Sequence, residues 1–77
     1  MPTVIRKDGF IAMIYTKDHR PAHAHVFNQG NEAIIEFEDG IVMRRNNVMN
    51  RSQLKRAMVL VKENRADLER IWREIYG

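Results

Sequence analysis

The chain has 77 residues, of which 44% are hydrophobic and 30% charged, with a net charge of +3 and no cysteine. This length predicts a single domain, residues 1–77, whose thin core buries only about 60% of the surface of the unfolded chain. The composition excludes a wholly disordered chain, and the lack of cysteine excludes a disulfide-stabilised miniprotein and thiolate chemistry. No apolar run reaches the roughly 18 residues of a membrane span, so we expect a cytoplasmic protein without membrane contact.

The first 45 residues contain five segments rich in strand-forming residues, at positions 3–7, 10–15, 22–28, 32–38 and 41–45. Asp8-Gly9 and Asp39-Gly40 are typical of two-residue type I′ hairpin turns, because such turns need positive φ at both positions. Gln29-Gly30-Asn31 predicts a further turn. These signals indicate consecutive antiparallel strands.

The second half of the chain predicts two helices, at about residues 50–63 and 65–76. Asn50 and Gln53 fit the capping-box spacing. Apolar residues then recur at helical spacing in two sets: Leu54, Ala57, Met58 and Val61, followed by Leu68, Ile71, Trp72 and Ile75. Asn64 and Asp67 repeat the cap spacing, so we expect a bend near Asn64. The sequence therefore predicts an α+β fold: an antiparallel sheet of four to five short strands, followed by two C-terminal helices packed on one face.

The three histidines, His19, His23 and His25, lie close together in the sequence. Because side chains alternate along a strand, His23 and His25 point to the same face. A hairpin loop of two or four residues would place them opposite the even-numbered positions of the next strand, which are Glu32, Ile34, Glu36 and Glu38. The other face would then be wholly apolar, with Ala24, Val26, Ala33, Ile35 and Phe37. This clean segregation favours an even loop.

Two histidines beside a carboxylate can act as general acid and base, or can bind a divalent transition metal. We predict His23 and His25 as the catalytic centre, with Glu36 as the carboxylate partner and His19 at the rim. The sequence contains no established metal-binding signature, so no cofactor is predicted. A divalent metal at His23 and His25, with His19 as a third ligand, is one alternative, and a polar face without chemistry is another.

The positive charge is concentrated in the second half of the chain. Residues 1–43 contain four basic and six acidic side chains, whereas residues 44–77 contain nine and four, and no acid lies between Asp39 and Glu63. Six basic side chains in this stretch are predicted to bind the phosphates of a nucleic acid: Arg44, Arg45, Arg51, Lys55, Arg56 and Lys62. A solvated helix surface is the alternative.

The segment D-H-R-P-A-H-A-H-V, residues 18–26, resembles a stretch typical of the domain of unknown function 4160, a family of small bacterial proteins. The match extends over essentially the whole chain, through residues 1–4, Asp8-Gly9, the basic helix, Glu63-Asn64 and the helix that contains Trp72. Ala22 departs from the pattern, because many members have a proline there. The family is often encoded beside the domain of unknown function 2442 family, in pairs similar to type II toxin–antitoxin operons. The resemblance implies the toxin component and brings no settled activity.

We therefore predict a toxin component that acts on RNA or the translation machinery through the histidine strand and the basic helix. The alternative is a non-enzymatic, nucleic-acid-binding transcriptional regulator or antitoxin-like interaction module. A helix-turn-helix is disfavoured because nothing near Asn64 supplies a glycine or proline for its short turn. Whether the chain is an enzyme stays open. We also expect a homodimer, or a complex with a cognate small protein, because two short helices leave part of the sheet uncovered.

Overall fold

Five strands precede two helices in the computed structural model, which describes residues 4–77. The elements are β1 (Val4–Lys7), β2 (Phe10–Met13), β3 (His23–Asn28), β4 (Asn31–Glu36), β5 (Val42–Asn47), α1 (Arg51–Glu63) and α2 (Arg65–Tyr76). The strands form one antiparallel sheet in the order β1-β2-β3-β4-β5. This architecture confirms the predicted α+β fold. Thr3, with which the first predicted strand begins, lies outside the described residues.

Two-residue turns close the β1–β2 and β3–β4 hairpins. Asp8 and Gly9 have φ angles of 51° and 80°, and Gln29 and Gly30 have 51° and 81°, which is the left-handed backbone that type I′ turns require. The second turn pairs Asn28 with Asn31. The even-numbered hairpin loop is thereby confirmed.

The connection between β4 and β5 differs from the prediction. Asp39-Gly40 does not form a two-residue hairpin turn, because β4 ends at Glu36 and β5 begins only at Val42. Phe37 leaves the ladder with β5: its N–H donates to the carbonyl of Ala22 over 2.9 Å, and its side chain is fully buried. The last two residues of the predicted strand, 37 and 38, therefore lie outside β4, and residues 37–41 connect it to β5.

The two helices cover the apolar face of the sheet. Ala24, Val26, Ile35 and Phe37 are each 0% exposed, as the alternation predicts. From the helices, the core takes Ala57, Leu60, Val61, Leu68, Ile71 and Trp72. Three residues predicted to be buried are only half-buried and pack at the border of the core: Leu54, Met58 and Ile75.

A different asparagine forms hydrogen bonds at each end of α1. At its start, Asn50 accepts the N–H of Gln53 over 2.8 Å, and the Gln53 side chain accepts the N–H of Asn50 over 3.0 Å, which confirms the capping box. The chain bends at Asn64 as predicted, but Asn64 does not cap α2 through its side chain. Its amide donates instead to the carbonyl of Leu60, at the end of α1. Neither helix is long and apolar enough to cross a membrane.

Candidate functional site

The second face of β3 is also buried, although histidines occupy it. His23 is 4% exposed and His25 is 8% exposed. The loop between β2 and β3 covers them: the Tyr15 ring stacks on the His25 ring with centroids 4.1 Å apart, and the Asp18 carboxylate contacts both imidazoles. This loop therefore covers the face of β3 that the histidines occupy.

The last residue of α2 holds this loop in place. The hydroxyl of Tyr76 donates to the carbonyl of Tyr15 and accepts the N–H of Asp18, the latter over 2.6 Å. Both backbone groups lie far from Tyr76 in the sequence. The position of the Asp18 carboxylate thus depends on how α2 packs at the end of the sheet.

The Nδ1 nitrogen of each buried imidazole already has a hydrogen-bond partner. Nδ1 of His23 lies 2.8 Å from the Pro21 carbonyl oxygen, and Nδ1 of His25 lies 2.8 Å from Oε2 of Glu32. Because a carbonyl and an ionised carboxylate can only accept, both Nδ1 atoms donate and carry a proton. In the neutral imidazole, Nε2 is then left with a free lone pair on each ring.

The two Nε2 atoms converge on one carboxylate oxygen. Oδ2 of Asp18 lies 3.3 Å from Nε2 of His23 and 3.1 Å from Nε2 of His25. One ligand atom from each of the three residues lies within 4.8 Å of the other two. Donors about 2.0–2.1 Å from a tetrahedral zinc ion lie roughly 3.3 Å from one another. The arrangement therefore has the donor chemistry of a two-histidine, one-carboxylate metal site, and both distances from the carboxylate oxygen to the nitrogens match that spacing.

A ring from α2 and a ring from the loop lie against the cluster. The centroid of the Trp72 ring lies 5.6 Å from that of the His23 ring. Strand alternation does not predict this contact. It arises because His23 is the first residue of β3, and α2 passes that end of the sheet. The Trp72 indole nitrogen has no hydrogen-bond partner among the described residues. On the loop side, burial, followed by the charges of Glu32 and Asp18, raises the pKa of Tyr15 above its ordinary value of 10.0. The phenol therefore stays neutral at pH 7.

The carboxylates that contact the histidines are not the one that the sequence favours. Glu36 does pair with His23 across the strands, as predicted. Its carboxylate, however, lies 3.8 Å from Nε of Arg44 on β5, while Asp18 and Glu32 contact the imidazoles. The catalytic role of Glu36 thus stays a prediction, while the carboxylates in contact with the imidazoles are those of Asp18, from the loop, and Glu32.

A cleft of about 310 Å³ opens beside the cluster. Its lining residues are Asp18, His19, His23, His25, Ile34, Arg44 and Arg45. His19 is exposed at this cleft and is not one of the three converging donors. His19 therefore lies at the edge of the cleft, and Asp18 is the third residue of the converging group.

A β-bulge places two consecutive arginines on the cleft. Arg45 pairs with Ile34 and Met43 with Ile35, which leaves Arg44 without a counterpart on β4. Consecutive strand residues normally point to opposite faces, but a bulge redirects one of them, so both guanidinium groups reach the cleft. The other four predicted phosphate-binding residues lie on α1 and do not line this cleft: Arg51, Lys55, Arg56 and Lys62.

An antiparallel sheet with two helices on one face, and a loop-covered histidine–aspartate cluster on the other, defines the structural class. Residues 9–73 match the sequence profile of a family described as Domain of unknown function (DUF4160), and the chain belongs to this family. No curated protein and no solved structure gives a significant match. The function must therefore be argued from the site itself.

Proposed function

We propose that this protein binds a divalent transition-metal ion through Asp18, His23 and His25, and that it cleaves RNA as the toxin component of a toxin–antitoxin-like pair. The observation that supports the metal is the convergence of two Nε2 atoms and one carboxylate oxygen. Metal-binding histidines almost always donate their other N–H to a carboxylate or a backbone carbonyl. Glu32 and the Pro21 carbonyl occupy those positions here.

The same geometry argues against a metal-free acid–base pair. In such a mechanism the base and the acid lie on opposite sides of the scissile phosphate. His23 and His25 instead direct their Nε2 atoms at one oxygen, and both rings are almost fully buried. A metal ion held by three protein ligands would, by contrast, keep a fourth coordination position for water or substrate.

The cleft supplies the other groups that phosphodiester hydrolysis needs. A metal ion held by Asp18, His23 and His25 would activate a water molecule for attack on phosphorus, with the proton of that water passing to solvent as the bond to the leaving oxygen breaks. The exposed imidazole of His19 is available to protonate that oxygen. Arg44 and Arg45 lie where they can neutralise the charge that develops on the phosphate.

The enzymatic test uses the full chain, Zn²⁺ or Mn²⁺, and a short end-labelled single-stranded RNA. We expect cleavage that a chelator abolishes and added metal restores. Asp18→Asn should abolish cleavage, whereas His19→Gln should keep the metal and lower the rate by about 100-fold. Asp39→Asn, on the β4–β5 connection, is the matched control. Cleavage that is insensitive to the chelator, or absent at every metal concentration, contradicts the proposal.

The role in the cell is tested by expressing the intact chain in bacteria and following growth. We expect growth arrest, and relief of the arrest by His23→Ala combined with His25→Ala. Circular dichroism of the purified double variant checks that it still folds. Arrest that persists in a folded double variant would separate toxicity from the metal cluster and reject this mechanism.

A second candidate function is a non-enzymatic, nucleic-acid-binding regulator. It is supported by the basic side chains of α1, which lie apart from the histidine cleft. Duplex binding whose affinity falls steeply with salt, in a chain without cleavage activity, would favour this candidate.

A further inference from the structure

An apolar groove lies along α1, on a part of the surface that the histidine cleft does not include. It has a volume of about 400 Å³, and its apolar residues are Ile41, Leu54, Met58 and Val59. Val59 is 44% exposed, although it is a large aliphatic residue in the middle of a helix. Leu54 and Met58 are one helical turn apart, so their side chains form a continuous apolar strip.

The remaining side chains that line the groove are all basic. They are Arg51, Lys55 and Lys62, and the whole stretch from residue 40 to residue 62 contains no acid. None of these three takes part in a salt bridge among the described residues, whereas two of the three arginines of α2 do: Arg65 pairs with Glu69, and Arg70 with Asp67 and Glu74. The groove therefore combines an apolar floor with positive charge that the chain itself does not neutralise.

We propose that this groove is the docking site for an amphipathic helix of an acidic protein partner. Such a helix would insert apolar side chains, spaced at i, i+3/i+4 and i+7, between Leu54, Met58 and Val59. Aspartate or glutamate residues beside that strip would face Arg51, Lys55 and Lys62. This inference uses none of the residues of the metal cluster, so it stands or falls separately from the proposed function.

The chemistry of the groove fits a protein better than a nucleic acid. Single-stranded nucleic acids bind where bases stack on aromatic side chains, and the groove residues include no aromatic ring. The apolar residues of the groove would also make no favourable interaction with phosphates. A second copy of the chain is a poor occupant as well, because Asp67, Glu69 and Glu74 of α2 already pair with arginines.

The test measures the fluorescence anisotropy of a labelled helical peptide with leucines at i, i+4, i+7 and i+11 and glutamates on both flanks. A peptide of the same composition in scrambled order is the control ligand. We expect saturable binding of the patterned peptide alone. Val59→Glu, and Lys55→Glu combined with Lys62→Glu, should each weaken binding at least about tenfold. Lys17→Glu, which reverses one charge on the β2–β3 loop outside the groove, should leave it unchanged.

Several results would overturn the proposal. One is the absence of saturable binding up to about 1 mM peptide. Another is equal binding of the scrambled peptide, or equal weakening by Lys17→Glu, since either would mean attraction by net charge alone. If a short RNA displaces the patterned peptide, and if Val59→Glu weakens the binding of that RNA, the groove is a nucleic-acid site. A dimer in sedimentation that Val59→Glu dissociates would assign it to a second copy of the chain.

Discussion

The two faces of β3 are both buried, but by opposite means. Ala24 and Val26 lie under helices and are surrounded by aliphatic and aromatic side chains. His23 and His25 lie under a loop and contact two carboxylates, a backbone carbonyl and a tyrosine ring. Burial of the first face stabilises the fold through apolar area, whereas burial of the second needs every polar atom to find a partner. Alternate residues of β3 thus contribute to two different environments, the apolar core and the polar histidine cluster.

The largest difference between the faces should appear in stability. Ile35→Ala removes a fully buried side chain from the helix-covered face and should lower the free energy of unfolding by about 2–5 kcal/mol. Ile34→Ala, on the adjacent residue, removes the same atoms from a half-buried side chain at the cleft and should cost about 1 kcal/mol. Urea unfolding measures both values. Equal losses would contradict the assignment of the two faces.

The next largest effect should be on metal affinity. Asp18→Asn removes the charged ligand, and we expect the affinity for Zn²⁺ to fall by more than about 100-fold, beyond the range for groups that only support a ligand. Isothermal titration measures the change, with Asp39→Asn as the control for loss of one negative charge. A similar affinity in the two variants would mean that Asp18 is not a ligand.

A smaller effect on Zn²⁺ affinity should distinguish the two glutamates of β4 that lie opposite β3. Glu32→Gln keeps an acceptor for His25 but removes the charge that makes this imidazole a better donor to the metal, so Zn²⁺ affinity should fall by about 10–100-fold. Glu36→Gln should change it less than about threefold, because that carboxylate lies against Arg44. The reverse order would restore the partnership that the sequence favours.

The smallest effect should come from the tyrosine at the end of α2. Tyr76→Phe leaves the Tyr15 carbonyl and the Asp18 N–H without their partner and should cost about 1–2 kcal/mol of stability. Zn²⁺ affinity should fall less than for Glu32→Gln, since the Asp18 side chain is intact. Tyr15→Phe keeps the ring stacked on His25 and is the matched control. Thermal unfolding and zinc titration of both variants would show whether the hydroxyl of Tyr76 holds the loop.

Much of the fold follows from local patterns in the sequence. The alternation in β3 and β4, the turn residues Asp8-Gly9 and Gln29-Gly30, and the capping box at Asn50 each involve neighbours in the chain, where physical rules are strong. The early end of β4 was not predicted, because Asp39-Gly40 is typical of a two-residue turn, whereas residues 37–41 form a longer connection in the structure.

The candidate site was only half predictable for the same reason. Strand period places His23 and His25 on one face, and the even loop sets Glu32 and Glu36 opposite that strand. The contact between Asp18 and the imidazoles depends on Tyr76, which holds the loop from the far end of the sequence. The position of Arg44 depends on a β-bulge, and the sequence of β5 contains no residue that predicts this bulge.

The central claim is that Asp18, His23 and His25 form one metal centre. Its most direct test is equilibrium dialysis of the full chain against Zn²⁺, followed by elemental analysis of the ion bound per chain. We expect one ion per chain in the native protein and in His19→Gln, and none in His23→Gln or His25→Gln with their folds intact. A native chain without bound zinc, or a loss in His19→Gln equal to that in the other two variants, would contradict the claim.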